Sequence, residues 1–514
     1  MFSRSIARIT MTASLLMLSS TAFAQLPNPT HGWNLGNTLE PPSGEGSWGP
    51  PASQALINSV ANAGFNTVRI PCAWDSHANQ STYQIDPAYM ARVKQVVDWC
   101  FARNLHVVIN CHWDGGWLDA NLTGTVKPTI NAKMNSYWSQ IATTFAGYNN
   151  RLLFAAANEP PADNAAKLSE LMTYYQTFIN VVRSKGGNNS SRWLVVQGPN
   201  TDITLTDSLM NTLPNDPTPG RLMVEVHYYT PYQFTLMPTD QSWGNMFYFW
   251  GQGYHSATNP SRNATWGEEA YTDAEFRKMY NKFTSKGIPV ILGEFGAFPR
   301  SNLTGADVNL NNASTTYWNK YVVDSARSHG IYPIYWETPG GAFDWTTGAI
   351  RNQNVVNSLT GRGALPPPGG DGAQHCFELS TQGWASSGAP ITGVTTATTQ
   401  RFAGSRSLAV SFNGAAGTSA VTIAAPSTPA GKTITFRVWI PSGSKISAIQ
   451  PFAQDRNWAW TGNYKPIGNL TANAWNNITV VVPPNAVTPL QQLGVQFSTS
   501  ATWTGTCYID SVSW

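Results

Sequence analysis

Leu152-Leu-Phe-Ala-Ala-Ala-Asn-Glu-Pro160 is an apolar run of strand length, closed by Asn158 and Glu159. It is apolar at both parities, so it reads as a strand buried on both faces, as in an all-parallel sheet. A short buried helix has the same pattern, and periodicity leaves that choice open. The end of the run is more informative. A carboxylate at the tip of a buried strand must be paired, neutral or used in chemistry. Ile288-Pro-Val-Ile-Leu-Gly-Glu-Phe-Gly296 repeats the design and ends on a second carboxylate, Glu294.

Working outward from these two runs, strand-like segments begin near His31, Phe65, His106, Leu152, Trp193, Leu222, Ile288 and Ile331. Amphipathic helical patterns fill most of the gaps, at 53–63, 88–103, 131–147, 164–185, 273–287 and 314–330. Glycines at 64, 287 and 330 mark helix stops. Alternating strands and helices mean a parallel sheet. Eight such units predict a closed (β/α)₈ barrel over residues 25–364, an α/β fold with its site at the C-terminal ends of the strands. The loop from 230 to about 272 is long and aromatic, and a loop of that length inside a compact domain usually serves a site.

The two ends of the chain read differently. Residues 1–24 carry Arg4 and Arg8, an apolar stretch and Ala22-Phe-Ala24, the layout of a secretory signal peptide. The expectation is a secreted protein with no membrane anchor. Residues 365–372, rich in Pro and Gly, read as a linker. Beyond it, 373–514 shows short Thr/Val-rich runs such as Ile434-Thr-Phe-Arg-Val-Trp-Ile440, which predict a small all-β sandwich. Composition agrees with a globular, exported protein. Only 11% of residues are charged and the net charge is +3 with no basic cluster, which argues against a nucleic-acid partner. The 21 Trp suit a neutral polyhydroxylated ligand, although about half of them are expected to be core. Of five cysteines, Cys72, Cys100 and Cys111 read as buried thiols, whereas Cys376 and Cys507 lie near the two ends of the C-terminal region, where a disulfide is one reading.

Polar residues gather at six of the eight strand ends: Arg69, then His112-Trp-Asp114, Asn158-Glu159, Glu225-Val-His-Tyr-Tyr229, Glu294 and Trp336-Glu337. With Gly32-Trp-Asn-Leu-Gly-Asn-Thr-Leu39, Phe65-Asn-Thr-Val-Arg-Ile-Pro71, Ala157-Asn-Glu-Pro160, Val226-His-Tyr-Tyr-Thr-Pro231 and Ile291-Leu-Gly-Glu-Phe-Gly296, the region from Thr30 to Thr338 resembles glycoside hydrolase family 5, of the retaining (β/α)₈ glycosidases. The resemblance implies Glu159 as acid/base and Glu294 as nucleophile. It also implies an inner shell of Asn158, Arg69, His112, His227, Tyr229 and Trp336. Asn37, Trp33, Trp113 and Trp117 are further candidates for substrate contact. Many members have two adjacent His after strand three; His112-Trp113 departs from that, and Trp113 offers a stacking face instead. No catalytic cofactor is implied. The carboxylate of Glu294 is expected to stay ionised and to push the pKa of Glu159 upward.

The words around Trp33 and His227 look most like endo-β-1,4-glucanases, with cellulose, mixed-linkage β-glucan or xyloglucan as the expected polysaccharide. An endo-β-1,4-mannanase on the same fold is the alternative, and a non-catalytic glycan-binding protein the alternative from a different class. A monomer is expected. The C-terminal region looks like a carbohydrate-binding module of the jelly-roll superfamily. That resemblance implies a sugar platform at Trp458, Trp460 and Tyr464, and a structural Ca²⁺ held by Glu378 and Asp510 with backbone oxygens of the 404–408 turn.

Overall fold

The computed structural model describes residues 31–251, 253–256, 258–298, 300, 303, 306–361, 373–377, 381–403, 406–426, 428 and 430–514. The signal segment, the linker, Glu378 and residues 404–405 lie outside them.

Eight parallel strands close into a barrel: β1 (Gly32–Asn34), β2 (Thr67–Ile70), β3 (His106–Asn110), β4 (Leu152–Ala155), β5 (Leu194–Gln197), β6 (Leu222–Tyr228), β7 (Val290–Phe295) and β8 (Ile331–Tyr335), with β8 pairing back onto β1. Alternation resolves the ambiguity of the apolar runs. Leu153 and Ala155 point into the barrel with Val108, Val195, Met223, Ile291 and Ile334. Leu152 and Phe154 point outward, into the layer between strands and helices. Both faces are buried because helices cover the outside.

The helices of that outer layer include Gln54–Ala63, Pro87–Ala102, Pro128–Thr144, Ala165–Ser184, Glu269–Lys282 and Ala306–Ser328. Their ends follow local chemistry. The side chains of Ser53 and Asn164 accept from first-turn N–H groups, and Gly64 closes the first helix at φ 107°. Helices Ile203–Leu209 and Gln353–Thr360 were not expected from periodicity, being only two turns long. The loop after β6 has its own small core of Met237, Met246, Tyr248 and Phe249.

The C-terminal strands form two antiparallel sheets. One runs in the order Ile391–Ala397, Ser407–Gly414, Trp503–Ser513, Thr433–Ile440, Ala474–Val481. The other runs Trp460–Gly462, Ile446–Gln454, Gln492–Thr499, Gly417–Ala424, Ala385–Ser386, with Lys465–Pro466 pairing onto its second strand. Val421, Phe436, Ile449, Leu493, Phe497 and Ile509 are part of the core between them.

One expectation for this region changes. Cys376 and Cys507 are both fully buried but no disulfide joins them. Asp510 is also fully buried, and its oxygens face N–H donors: Oδ2 accepts from Phe402 (2.8 Å) and Ala403 (3.2 Å), and Oδ1 from Ser511 (2.8 Å). Arg437 stands opposite it in register. At least three of the four lone-pair positions of the carboxylate are therefore taken by donors rather than left for a cation. Glu378 and residues 404–405 of the calcium site that the resemblance implies lie outside the described residues.

Candidate active site

The inward positions of the barrel change from apolar to ionised near the C-terminal ends of the strands. Arg69 on β2 is fully buried and acts as the hub. Its Nε lies 3.0 Å from Glu225 Oε1, its NH1 donates to Glu294 Oε1 (3.0 Å) and Asn34 Oδ1 (3.0 Å), and its NH2 donates to Asn158 Oδ1 (2.8 Å). A fixed guanidinium fork suits this role better than a lysine, because several acceptors must be held in one plane. Asn34 on β1 is anchored in turn by donating to the carbonyls of Gly293 (2.9 Å) and Tyr335 (3.2 Å).

Glu294 reaches the mouth through a β-bulge. The pairing of β6 with β7 shifts between Val226 and His227, so that His227 stands beside Glu294 rather than Gly293. The extra residue re-aims the side chain that follows it. Only glycine fits there: a Cβ on Gly293 would lie 1.9 Å from Glu225 Oε1. Glu294 also accepts from the Tyr229 hydroxyl (3.0 Å).

His227 bridges the acids. Its Nδ1 lies 2.7 Å from Glu159 and 3.8 Å from Glu294, and its Nε2 lies 3.2 Å from Glu225. The nearest ligand atoms of Glu159, His227 and Glu294 all fall within 4.8 Å of one another. Burial opposes a charge on His227, but the surrounding carboxylates outweigh it and push its pKa up to about 9. Glu225 is pushed up by burial and down, by more, through Arg69 and His227; it ends below the usual carboxylate range. Gln197 completes its shell, donating to Glu225 Oε2 at 2.6 Å while accepting from the Ala157 N–H at 2.8 Å.

The order of the two acids differs from the expectation. Burial raises Glu159, but the hydrogen bond and charge of His227, with Arg69, bring its pKa below the ordinary value. Burial raises Glu294, and His227 and Arg69 do not fully offset it, so its pKa ends above. The reason is geometric: the imidazolium sits closer to Glu159 than to Glu294.

His112, Trp336 and Asn158 follow the C-terminal ends of β3, β8 and β4. His112 and Trp336 stack with ring centroids 5.7 Å apart and planes 4° from parallel. Asn110 donates to His112 Nδ1 (3.2 Å), and burial and Arg69 hold the imidazole pKa well below 6.5. His112 is therefore neutral, with Nε2–H left to donate. Asn37 is half-buried at φ 57° in the loop after β1, its N–H donating to Glu40.

The tryptophans divide. Trp113 is 48% exposed at the rim after β3. Trp33 is fully buried instead: its Nε1 donates to Glu337 Oε2 (2.8 Å) and its ring packs on Phe343 and Trp345. Trp117 is also packed away, edge-on to Tyr137 at 5.6 Å. Neither offers a sugar a face.

Sequence reasoning placed Glu225 at a strand end without giving it a role, and gave none to Gln197, Asn34 or Asp119. Glu225 had a signal, since it lies two residues before His227 on one strand and so shares its face. Asp119, after β3, is raised to about 7 by burial and by the charge of Glu159, which places a third carboxyl near the exposed one.

The comparisons with known proteins agree with this geometry. The family model described as cellulase, glycosyl hydrolase family 5, matches residues 31–340. Endoglucanase A of Paenibacillus barcinonensis is 34% identical over 360 residues, covering 64% of this chain and 86% of its own length. A xyloglucan-specific endo-beta-1,4-glucanase of Bacteroides ovatus is 34% identical over 349 residues, covering 64% of this chain and 67% of its own. Among solved structures, a GH5 xyloglucan-specific beta-1,4-glucanase from a ruminal metagenomic library, bound to XXLG, is 38% identical with a TM-score of 0.60, covering 66% of this chain and 96% of that one. With the closed barrel, its paired acids and a family match across residues 31–340, the chain belongs to glycosyl hydrolase family 5.

Proposed function

We propose that the chain is an exported endo-β-1,4-glucanase that cleaves with retention of anomeric configuration. One observation carries this reading: Glu159 and Glu294 offer oxygens within 4.8 Å of each other across His227. Retaining enzymes hold their two carboxyls about 5–5.5 Å apart, whereas inverting ones leave room for a water. In the first step a Glu294 oxygen attacks the anomeric carbon, and the glycosidic oxygen leaves with the proton of Glu159. In the second a water oxygen attacks the same carbon, Glu159 takes the water proton, and the Glu294 carboxylate is released. Two inversions restore the starting configuration.

The pKa order of the free site is the reverse of what these roles require, and a bound sugar changes it. Glu159 is nearly half exposed, so a substrate lying over it replaces water with an acceptor oxygen that favours the protonated acid. Glu294 keeps its donors from Arg69 and Tyr229 and takes the charge. The two titrate as one unit, and the bound sugar sets which of them holds the proton. Chemistry of this family requires no cofactor.

Among β-1,4-glucans we place xyloglucan first, then mixed-linkage glucan. The support is that two similar proteins are named for xyloglucan. Export rests on the arginines and the Ala-Phe-Ala end of residues 1–24. Reducing-end release on carboxymethylcellulose, barley glucan, xyloglucan and galactomannan, assayed in parallel, tests the reading. Faster cleavage of galactomannan than of every glucan overturns it in favour of a mannanase, and no release from any overturns hydrolysis itself.

A further inference from the structure

Strand β5 supplies neither reacting acid nor any residue of the inner shell, yet its C-terminal end is built around the segment that carries Glu159. The N–H groups of Phe154 and Ala156 donate to the carbonyls of Trp193 (3.3 Å) and Val195 (3.0 Å), on the β5 side. Alternate N–H groups of a strand face opposite neighbours, so that of Ala157 would face β3 in a regular continuation. Ala157 is buried, and its N–H needs a partner. It turns back to β5 and donates to the side chain of Gln197, whose Oε1 accepts it at 2.8 Å. Just beyond Glu159, the Pro160 carbonyl accepts from the Asn200 N–H at 2.8 Å. Residues 157–160 are thus tied at both ends, by a β5 side chain and by the loop after β5. That loop is itself tightly set. Asn200 and Thr201 both take left-handed φ, 53° and 49°, and a Cβ on Gly198 would fall 1.9 Å from Thr206 Oγ1.

Gln197 does more than brace a backbone. It is fully buried and stands beside Glu225 in the β5–β6 register. Because its Oε1 accepts from Ala157, its Nε2 is the end turned to Glu225 Oε2, at 2.6 Å. Glu225 Oε1 in turn lies 3.2 Å from His227 Nε2, and His227 Nδ1 lies 2.7 Å from Glu159 Oε1. The contacts close into a ring: Ala157, Gln197, Glu225, His227, Glu159, and back along the backbone to Ala157. Gln197 is the one side chain of that ring with no charge to gain or lose.

We propose that Gln197 is a positioning residue for the acid/base, its amide holding the backbone that carries Glu159 in register with the carboxylate that holds His227. It touches no substrate. Proton transfer to a departing glycosidic oxygen needs the acid within hydrogen-bond reach, so a small shift of residues 157–160 relative to His227 slows that transfer. Glu294 is anchored separately, by Arg69 and Tyr229. Its attack therefore depends on the ring much less than protonation does. The inference rests on the reading of Glu159 as acid/base given above.

Two leaving groups, compared on the full-length protein, test it. The oxygen that departs from cellotetraose needs a proton, and that of dinitrophenyl cellobioside does not. Gln197→Met keeps much of the side-chain length and neither hydrogen bond. It should lower kcat/KM on cellotetraose about 30-fold and on the aryl cellobioside less than about threefold. Equal losses on both, or no loss on either, overturn the inference. Gln197→Glu decides the matter if Gln197→Met melts early. With Glu225, His227 and Arg69 unchanged around it, a protonated glutamate repeats both bonds, its O–H toward Glu225 and its carbonyl toward Ala157; an ionised one repeats only the second. Its cellotetraose kcat/KM relative to wild type should fall as pH rises, more steeply than its aryl-glycoside ratio. Two ratios that move together overturn the proposal. Glu159→Ala separates this inference from the reading beneath it. If that variant spares the aryl glycoside and Gln197→Met does not, only the role of Gln197 fails. If it slows both substrates alike, the acid/base assignment fails and the role of Gln197 with it.

Discussion

The barrel mouth and the outer face of the six-stranded sheet in the C-terminal sandwich are built from opposite materials. The mouth packs Arg69, Glu225, His227 and Glu294 into buried contacts near 3 Å, with Glu159 at the edge. On that outer face the register aligns Trp460, Gln454, Gln492 and Ala424, then Gly462, Phe452, Gly494 and Thr422, then Gln450, Gln496 and Ala420, with no charged side chain in these rows. Reaction explains the charge at the mouth. Cleaving a glycosidic bond moves charge, and fixed ions in a dry site stabilise charge as it develops. A face that changes no bond has no such charge to stabilise, and buried ions there would only be desolvated. The contrast is a rule for reading sites on sugar-active proteins: expensive buried ions mark the place where bonds change.

The strongest way to break that contrast is to neutralise an ion that reacts. Glu294→Gln should lower kcat on β-glucan by about 10⁴-fold or more with the melting temperature nearly unchanged. Glu159→Ala should show a different pattern. An aryl glycoside whose leaving group needs no proton should still react in the first step, giving a burst followed by slow turnover. If the burst is missing and both variants are slowed equally on every substrate, the two acids do not divide the work as proposed.

A smaller loss is expected from an ion that never touches the sugar. Glu225 accepts from Gln197 and lies against Arg69 and His227. A glutamine there would turn an N–H₂ toward donors. Glu225→Gln should lower kcat about 10²-fold, with little change in KM. It should also move the alkaline limb of the pH profile to lower pH, because Glu225 is one of the groups raising His227. A fall in activity with an unmoved profile would mean only local damage.

The same histidine ties stability to pH. Its pKa rises on folding, from 6.5 to about 9. Below about pH 6.5 both folded and unfolded chains hold the proton, and the stabilisation is complete; it is lost as pH climbs through about 9. The whole step is about 3 kcal/mol. Thermal melts of the wild type should fall over that window more steeply than those of His227→Gln. Equal slopes would show that His227 is not charged in the free protein.

Much of this architecture was legible in the chain, for local reasons. The strand starts were marked by apolar runs, and Gly64, Gly287 and Gly330 take the left-handed conformations of helix stops. Glu159 and Glu294 stood out because a buried strand has few reasons to end in a carboxylate. The bulge that aims Glu294 was less visible: Gly293 hinted at it, since an isolated glycine in a strand pattern suggests one. The order of the two pKa values was not legible, because it turns on about an ångström of difference in distance to His227. Trp33 and Trp117 misled because an aromatic residue beside a site motif looks the same in sequence whether it faces solvent or the core. Trp33 lies in β1 next to Asn34, and alternation assigns it the face opposite the barrel interior.

That last distinction supplies the smallest effect and a clean pair of opposites. Trp33 contributes its N–H to Glu337, a carboxyl that burial has pushed up to about 7. Trp33→Phe removes a donor from a buried acceptor, so it should lower stability by about 1–3 kcal/mol and leave KM alone. It should also make the loss worse at higher pH, since Glu337 without that donor resists ionising still more. Trp113, half exposed at the rim, has the reverse expectation. Trp113→Ala should leave the melting temperature within a degree or so while raising KM on xyloglucan about fivefold, the cost of one modest stacking contact. The pair is informative because both changes remove one indole from the neighbourhood of the same cleft. If Trp33→Phe raises KM as much as Trp113→Ala does, the buried indole shapes the subsite after all, and the division between packing and recognition drawn from exposure fails.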